Sequence, residues 1–265
     1  MSEIIVLKCG GSIIDTLSDS FFANIKNLQK SGLKPIIVHG GGPAIEEMLE
    51  DLQIKSEFID GLRKTTKPVM DVVEMVLTGI VNNEITRKLS DHGIQSIGLN
   101  GSDVQLLKAK PKDFEKLGYV GEVTDVNVKF LKHLLETGVV PVITPVAVGE
   151  DGQSYNINAD TAAGAVASAV AAKQLIFVTD VPGILQDNEL LECVTENEIN
   201  EMIEDGTIYG GMIPKVEAAL NSLSKDLSEA MIIDGNQAVI GGTDTSLVGT
   251  VIKKSVGVVY SACAI

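Results

Sequence analysis

Tryptophan is absent from this chain of 265 residues, and aromatic residues make up only 4% of it. So few rings argue against a stacking platform for single-stranded nucleic acid or glycans. Basic residues are scarce too: 21 Lys and Arg face 36 Asp and Glu, a formal net charge of -15 with a pI near 4.6. Phosphate-tracking proteins need a basic footprint, so DNA, RNA and anionic membrane surfaces are not expected partners. An anionic substrate must be held by a few local cations inside a repelling field. The three cysteines, Cys9, Cys193 and Cys263, are far apart and form no C-x-x-C pair. That excludes a zinc ribbon or disulfide framework and suits a reducing cytosol. The three histidines, His39, His92 and His133, have no partner at ligand spacing, so neither a metal site nor a histidine general base is expected. No basic segment followed by an apolar run opens the chain. The most apolar helical stretch, Ala162 to Ala172, falls short of the ~20 residues that span a bilayer. A cytoplasmic protein is the expectation.

Hydrophobic residues amount to 45% and charged residues to 22%, the balance of an ordinary globular protein. Runs rich in Ile and Val read as fully buried strands: Ile4 to Leu7, Pro35 to His39, Ile94 to Leu99, Val139 to Thr144, Leu175 to Thr179 and Ala230 to Ile233. Helical patterns lie between them, over Ser20 to Lys30, Ala44 to Asp51, Pro68 to His92, Val128 to Glu136, Thr161 to Ala171, Glu196 to Glu204 and Pro214 to Leu223. Gly32, Gly93, Gly138 and Gly206 fall where left-handed caps end helices. Two segments break the rhythm: Val104 to Lys110 with Tyr119 to Val123, and Ala147 to Ile157, both read as hairpins beside the sheet. The alternation predicts an α/β fold, a three-layer αβα sandwich around an open, mainly parallel central sheet.

In such sheets ligands sit beyond the carboxyl ends of the strands. The first strand runs into Lys8-Cys9-Gly10-Gly11-Ser12, a cation beside amides that an anion can approach closely. The second runs into His39-Gly40-Gly41-Gly42-Pro43 and then a helix, whose N-terminus suits a carboxylate or phosphate. Gly61-Leu62-Arg63 places a guanidinium in a polar turn, suited to bidentate capture of a carboxylate or else merely solvated. Asn156-Ile157-Asn158-Ala159-Asp160 opens an Ala-rich helix, where Asn158 or Asp160 could serve only as a cap. Thr179-Asp180-Val181-Pro182-Gly183-Ile184 follows another buried strand. Gly210-Gly211-Met212-Ile213-Pro214-Lys215 puts a lysine in a first helical turn, against the helix dipole, a local cost that suggests an anion nearby. Walker A, dinucleotide-binding and protein-kinase signatures are all missing.

The order of these motifs resembles the amino acid kinase family. The resemblance runs from residue 4 to about residue 252 and rests on Lys-x-Gly-Gly, His-Gly-Gly-Gly-Pro, Gly-Leu-Arg, Asn-x-Asn-Ala-Asp, Thr-Asp-Val-x-Gly-Ile and Gly-Gly-Met-x-x-Lys. Within the family it is similar to the branch acting on N-acetyl-L-glutamate. The resemblance therefore implies transfer of the ATP γ-phosphoryl group to the side-chain carboxylate of that substrate, giving N-acetyl-L-glutamyl 5-phosphate on the route to arginine. It implies Lys8, Lys215 and Asp160 as catalytic residues, the lysines stabilising the transferring group and Asp160 orienting them from between. Gly41, Gly42, Arg63 and Asn156 would hold the amino-acid substrate. Gly10, Gly11, Asp180, Gly210, Gly211 and Met212 would receive the nucleotide. Mg²⁺ would enter with ATP, and no protein ligand is assigned to it.

The same resemblance implies an N-terminal lobe at 1–172 for substrate binding and dimerisation. It implies an ATP-binding lobe at 173–255 and leaves a tail at 256–265 without a role. Arginine-inhibited members of the family are similar in carrying a helix before the first strand that links dimers into a hexameric ring. Only Met1 to Glu3 precede the strand expected at Ile4, too few to repay helix nucleation. The expectation is a homodimer without that control, formed through the apolar side of the helix over Pro68 to His92 (Val69, Val72, Val73, Val76, Leu77, Ile80). Two alternatives stand beside this reading. One is a sister kinase for a different carboxylate or carbamate; the other is a non-catalytic amino-acid or nucleotide sensor.

Overall fold

Six Ile/Val runs and two shorter segments become neighbours in one sheet of eight strands. From one edge it runs β14 (Cys193–Thr195), β16 (Thr250–Lys253), β15 (Glu229–Asp234), β11 (Gln174–Thr179), β1 (Ile4–Cys9), β2 (Lys34–His39), β8 (Val140–Thr144) and β5 (Ser96–Asn100). Every neighbouring pair is parallel except β15 with β16. This computed structural model describes residues 3–11, 14, 17–224, 227–236 and 247–254; the tail at 256–265 lies outside them.

Strands apolar at successive positions need cover on both faces, because their side chains alternate sides. Val6, Ile36 and Val38 point into one core, with α6 (Val128–Glu136), α7 (Ala159–Val170), α8 (Glu196–Glu204) and α9 (Met212–Ser222) over them. Ile5, Leu7 and Ile37 point into the other, under α1 (Asp19–Lys30), α2 (Gly42–Asp51), α3 (Lys67–Glu74) and α4 (Asn82–Asp91). The result is the expected three-layer sandwich. The strands and helices read from the sequence are present within a residue or two of their expected ends. The four capping glycines take φ between +67° and +89°.

Four sheet strands (β1, β2, β5, β8) precede residue 172 and the other four follow it, so the chain crosses once from one half of the sheet to the other. The expected hairpins form as β6 (Leu107–Pro111) with β7 (Gly121–Val126) and β9 (Val146–Gly149) with β10 (Ser154–Asn156). They are joined by parallel β6–β9 pairing into a four-stranded second sheet, with short α5 (Phe114–Leu117) between β6 and β7. Two small hairpins escaped the sequence reading: β3 (Phe58–Ile59) with β4 (Leu62–Arg63), and β12 (Leu185–Gln186) with β13 (Glu189–Leu190).

The long helix over Pro68 to His92 needs two corrections. Its middle, Met75–Val81, is π-helical, joining α3 to α4 without a break. Val69, Val72, Val73, Val76 and Leu77 are buried within the chain itself, so only Ile80 of the six apolar residues remains exposed. The apolar side singled out for a partner is spent mostly on the protein's own core.

Candidate active site

β1 and β2 lie side by side with Cys9 opposite His39, so the two glycine loops emerge together. They touch. A Cβ added at Gly11 would stand 2.5 Å from the Gly41 nitrogen and 2.7 Å from that of Gly42. No flexible side chain could yield there, since both neighbours are backbone. A Cβ at Gly41 would strike Leu77 and crowd Val81, both from the π-helical stretch. The Gly40 N–H donates to the Cys9 carbonyl at 2.9 Å, and the Gly10 N–H faces the Val178 carbonyl at 3.4 Å. Among the described residues, no protein acceptor takes the N–H of Gly11, Gly41 or Gly42. The free amides of Gly41 and Gly42 at the start of α2, with that of Gly11 from the neighbouring loop, offer a cradle for an anion.

Lys8 lies near the end of β1, two residues before Gly10. Its Nζ is 2.8 Å from Asp160 Oδ1, in the first turn of α7. The capping question resolves by division of labour: Asn158 Oδ1 accepts from the N–H groups of Asp160 and Thr161 at 2.9 and 3.1 Å. Asn158 is therefore the cap, which leaves the Asp160 carboxylate to Lys8. Cys9 beside it is no nucleophile, since burial pushes its thiol up to about 12.

A cavity of about 450 Å³ opens against the second glycine loop. Gly40, Gly41, Gly42, Arg63, Asn156, Leu77 and the turn at Asn158–Ala159 all contribute to its wall. Its size suits a small organic acid. Arg63 is not in a solvated turn, as its Gly-Leu-Arg context suggested; it lies on β4 and is only 8% exposed. Its guanidinium pairs with the Glu46 carboxylate, donates to Ser56 Oγ and to the Gly42 carbonyl at 3.2 Å, and stacks 4.6 Å from the Phe58 ring. Hydrogen bonding from Arg63 holds the Glu46 carboxyl below its usual range. Asn156 donates to Thr65 Oγ1 at 3.1 Å, and that hydroxyl donates to the Arg63 carbonyl at 2.8 Å. Glu46, Ser56 and Thr65 were invisible in the sequence because nothing in their spacing marks a pairing across separate elements.

The remaining candidates gather on the other half of the sheet. Asp180 follows β11, which neighbours β1, and its carboxylate lies 3.0 Å from Lys215 Nζ in the first turn of α9. The Lys215 hydrogen bond holds the Asp180 carboxyl below its ordinary range. Lys215 thus pairs with Asp180 and not with Asp160, so the arrangement with Asp160 between two cations is not formed. Gly210, Gly211 and Met212 lead into α9, where Gly210 has φ +56° and neither glycine is crowded. α7 packs on α9, which ties the two groups of residues together. Among the described residues, no cluster of His, Cys, Asp and Glu is shaped to hold a metal ion, and no helix is long and apolar enough to cross a membrane.

The chain is 53% identical to an acetylglutamate kinase of Halalkalibacterium halodurans, over 97% of this chain and 98% of that one. It is 52% identical to an acetylglutamate kinase of Geobacillus stearothermophilus, over 97% and 99% of the two. A crystal structure of smu.665 from Streptococcus mutans UA159 superposes with a TM-score of 0.82 at 35% identity, covering 96% of this chain and 99% of that one. The profile of the amino acid kinase family matches residues 3–234. This chain belongs to the amino acid kinase family.

Proposed function

We infer that the protein is an ATP-dependent kinase that phosphorylates the side-chain carboxylate of N-acetyl-L-glutamate. The observation that carries this reading is the agreement, at about half of all positions and across nearly the whole chain, with relatives named acetylglutamate kinase. A carboxylate is already a nucleophile, so no general base is required. One of its oxygens bonds to the γ-phosphorus, the bond from that phosphorus to the β,γ-bridging oxygen breaks, and ADP leaves with the electron pair. No proton moves. The protein must bring two anions into line and cancel their repulsion.

The residues on hand fit that task. Lys8 would meet the transferring group from the β1 side and Lys215 from the nucleotide side, each steadied by its own carboxylate. The free N–H groups of Gly11, Gly41 and Gly42 would donate to phosphoryl oxygens. Arg63 and Asn156 would bind the carboxylate and acetamido group of the amino acid in the cavity. ATP would occupy the half of the sheet at 173–255, beside Asp180 and Gly210–Met212, with Mg²⁺ entering as part of that co-substrate. The substrate lobe would be 1–172. We further read the enzyme as cytoplasmic and as a homodimer, joined where Met75, Ile80 and the edge-strand residue Ile97 leave apolar surface exposed.

The test mixes protein, MgATP, N-acetyl-L-glutamate and hydroxylamine. Hydroxamate should form in step with ADP. ADP release with another carboxylate or with carbamate, but not with N-acetyl-L-glutamate, would point to a sister kinase. Ligand binding without any ADP release would mean a sensor.

A further inference from the structure

His39 ends β2 and enters neither the chemistry nor the cavity, yet it is fully buried directly beneath the second glycine loop. Its Nδ1 lies 2.8 Å from the carbonyl oxygen of Gly40. A carbonyl oxygen only accepts, so that distance requires the ring proton to sit on Nδ1. The other nitrogen, Nε2, faces the Asn82 side-chain amide at 3.1 Å and Thr144 Oγ1 at 3.2 Å.

The Asn82 amide has a fixed sense. The same nitrogen that faces His39 also lies 2.9 Å from the Val142 carbonyl, which again can only accept, so that atom is the NH₂ group. With the single proton of the neutral ring on Nδ1, Nε2 is bare and faces two donors, the Asn82 amide and the Thr144 hydroxyl, which themselves lie 3.1 Å apart. Asn82 and Thr144 are almost completely buried, and a Cβ at Gly98 would collide with the Asn82 amide oxygen, so the amide has a tailored slot. Three elements, β2, α4 and β8, lock one tautomer of one ring. Burial pushes the imidazole down to about 4, which leaves it neutral near pH 7.

A trans peptide is planar, with its C=O and N–H pointing in opposite directions. Holding the Gly40 oxygen toward the ring thus turns the Gly41 N–H the other way, away from His39 and free of any described protein acceptor. Glycine offers no Cβ to resist rotation of that peptide, so something else must set it. We propose that His39 is a positioning residue: its Nδ1–H grips the Gly40 carbonyl so that the Gly40–Gly41 peptide presents the Gly41 N–H to the transferring phosphoryl group. The proposal rests on the phosphoryl-transfer reading above and adds to it the device that orients one of the donors.

Two measurements test it. Ring ¹⁵N spectroscopy of the folded protein should show His39 protonated on Nδ1 and bare on Nε2 throughout about pH 5 to 8. A ring carrying its proton on Nε2 overturns the proposal whatever the substrate. In kinetics, His39→Leu should lower kcat by about 10- to 100-fold, short of the full loss of an oxyanion donor, with both KM values near those of the parent. His39→Asn, whose amide nitrogen can stand near the Nδ1 position, should recover most of that loss, whereas His39→Gln should not. Equal damage in all three variants, or a kcat unchanged in folded His39→Leu, overturns it. If the parent enzyme itself releases no ADP with N-acetyl-L-glutamate, the substrate assignment fails, and the spectroscopic result still decides the role of His39.

Discussion

Lys8 and Asp160 meet at 2.8 Å across the boundary between a strand end and a helix start, with side chains 16% and 29% exposed. The pairing pins a flexible four-carbon stem against the start of α7, where Asn158 and Ala159 share the cavity wall with Gly40–Gly42. If Lys8 stabilises charge developing in transfer, Lys8→Ala should reduce kcat by ~10²-fold or more, and Lys215→Ala should do likewise. Asp160→Asn leaves the lysine but frees it, so its loss should be smaller. Circular dichroism should show all three folded. Near-parental kcat in a folded lysine variant removes that lysine from the mechanism.

Arg63 is buried and has four neighbours to lose, so its replacement carries two separate signatures. Arg63→Ala should raise the KM for N-acetyl-L-glutamate by roughly 10- to 100-fold, the worth of an arginine–carboxylate contact of about 1.5–3 kcal/mol, with the ATP KM little changed. It should also lower the melting temperature, because Glu46 is left without its cation. Glu46→Gln separates the effects: it keeps Arg63 and should move KM far less. A rise confined to the ATP KM would reverse the assignment of the two halves.

The glycines divide by what surrounds them. Gly11→Ala drives a Cβ into backbone nitrogens and should abolish turnover. Gly41→Ala collides with the Leu77 side chain, so adding Leu77→Ala should restore part of the activity. Gly164→Ala, in α7, meets Ser222 only at an ordinary 3.5 Å contact and should be close to silent. Equal activity in the Gly11 and Gly164 variants would show that the cradle does not work by close approach.

Acid stability should record two groups. His39 titrates near 6.5 when unfolded and near 4 when folded, so the unfolded chain takes up its proton first. Stability is then full above about pH 6.5, declines as pH falls from there toward 4, and is level below that. His39→Asn should flatten this window. The Glu46 carboxyl, held low by Arg63, contributes stability that is lost only at lower pH, as it is forced to protonate. Denaturant midpoints measured against pH resolve the two; an unchanged slope between pH 6.5 and 4 in His39→Asn would contradict the buried neutral ring.

Light scattering should give twice the mass of the 28.0 kDa chain. Ile80→Glu, which places a charge on the exposed side of the π-helical stretch, should yield monomer. A parent protein that is monomeric would refute the dimer.

The layered architecture was legible because buried strands need apolar residues at every position and helices announce themselves by period and by glycine caps. The loops at Gly10–Gly11 and Gly40–Gly42 were legible for a related reason: glycines at strand ends have few other uses. What stayed hidden depends on pairing between distant elements. Nothing in the sequence says that Glu46 takes Arg63, that Asp180 rather than Asp160 takes Lys215, or that His39 finds Asn82. The π-helical turn was equally silent, since Met75–Val81, whose Leu77 and Val81 face Gly41, keeps an ordinary helical run of apolar residues.

The single crossing of the chain between the two halves of the sheet bears on how the molecule is made. β1 is made before the other strands of the sheet and finds β2 after a crossover through α1, but its other neighbour, β11, begins only at Gln174. Until then the hydrogen-bonding groups along Ile5–Cys9 form an open, apolar sheet edge of the kind that recruits other chains. Parallel pairing of this sequence separation is slow to form. A nascent or truncated chain ending before residue 174 thus carries an open strand edge at the place where Lys8 will later work, and the second half of the protein shields that edge as it folds.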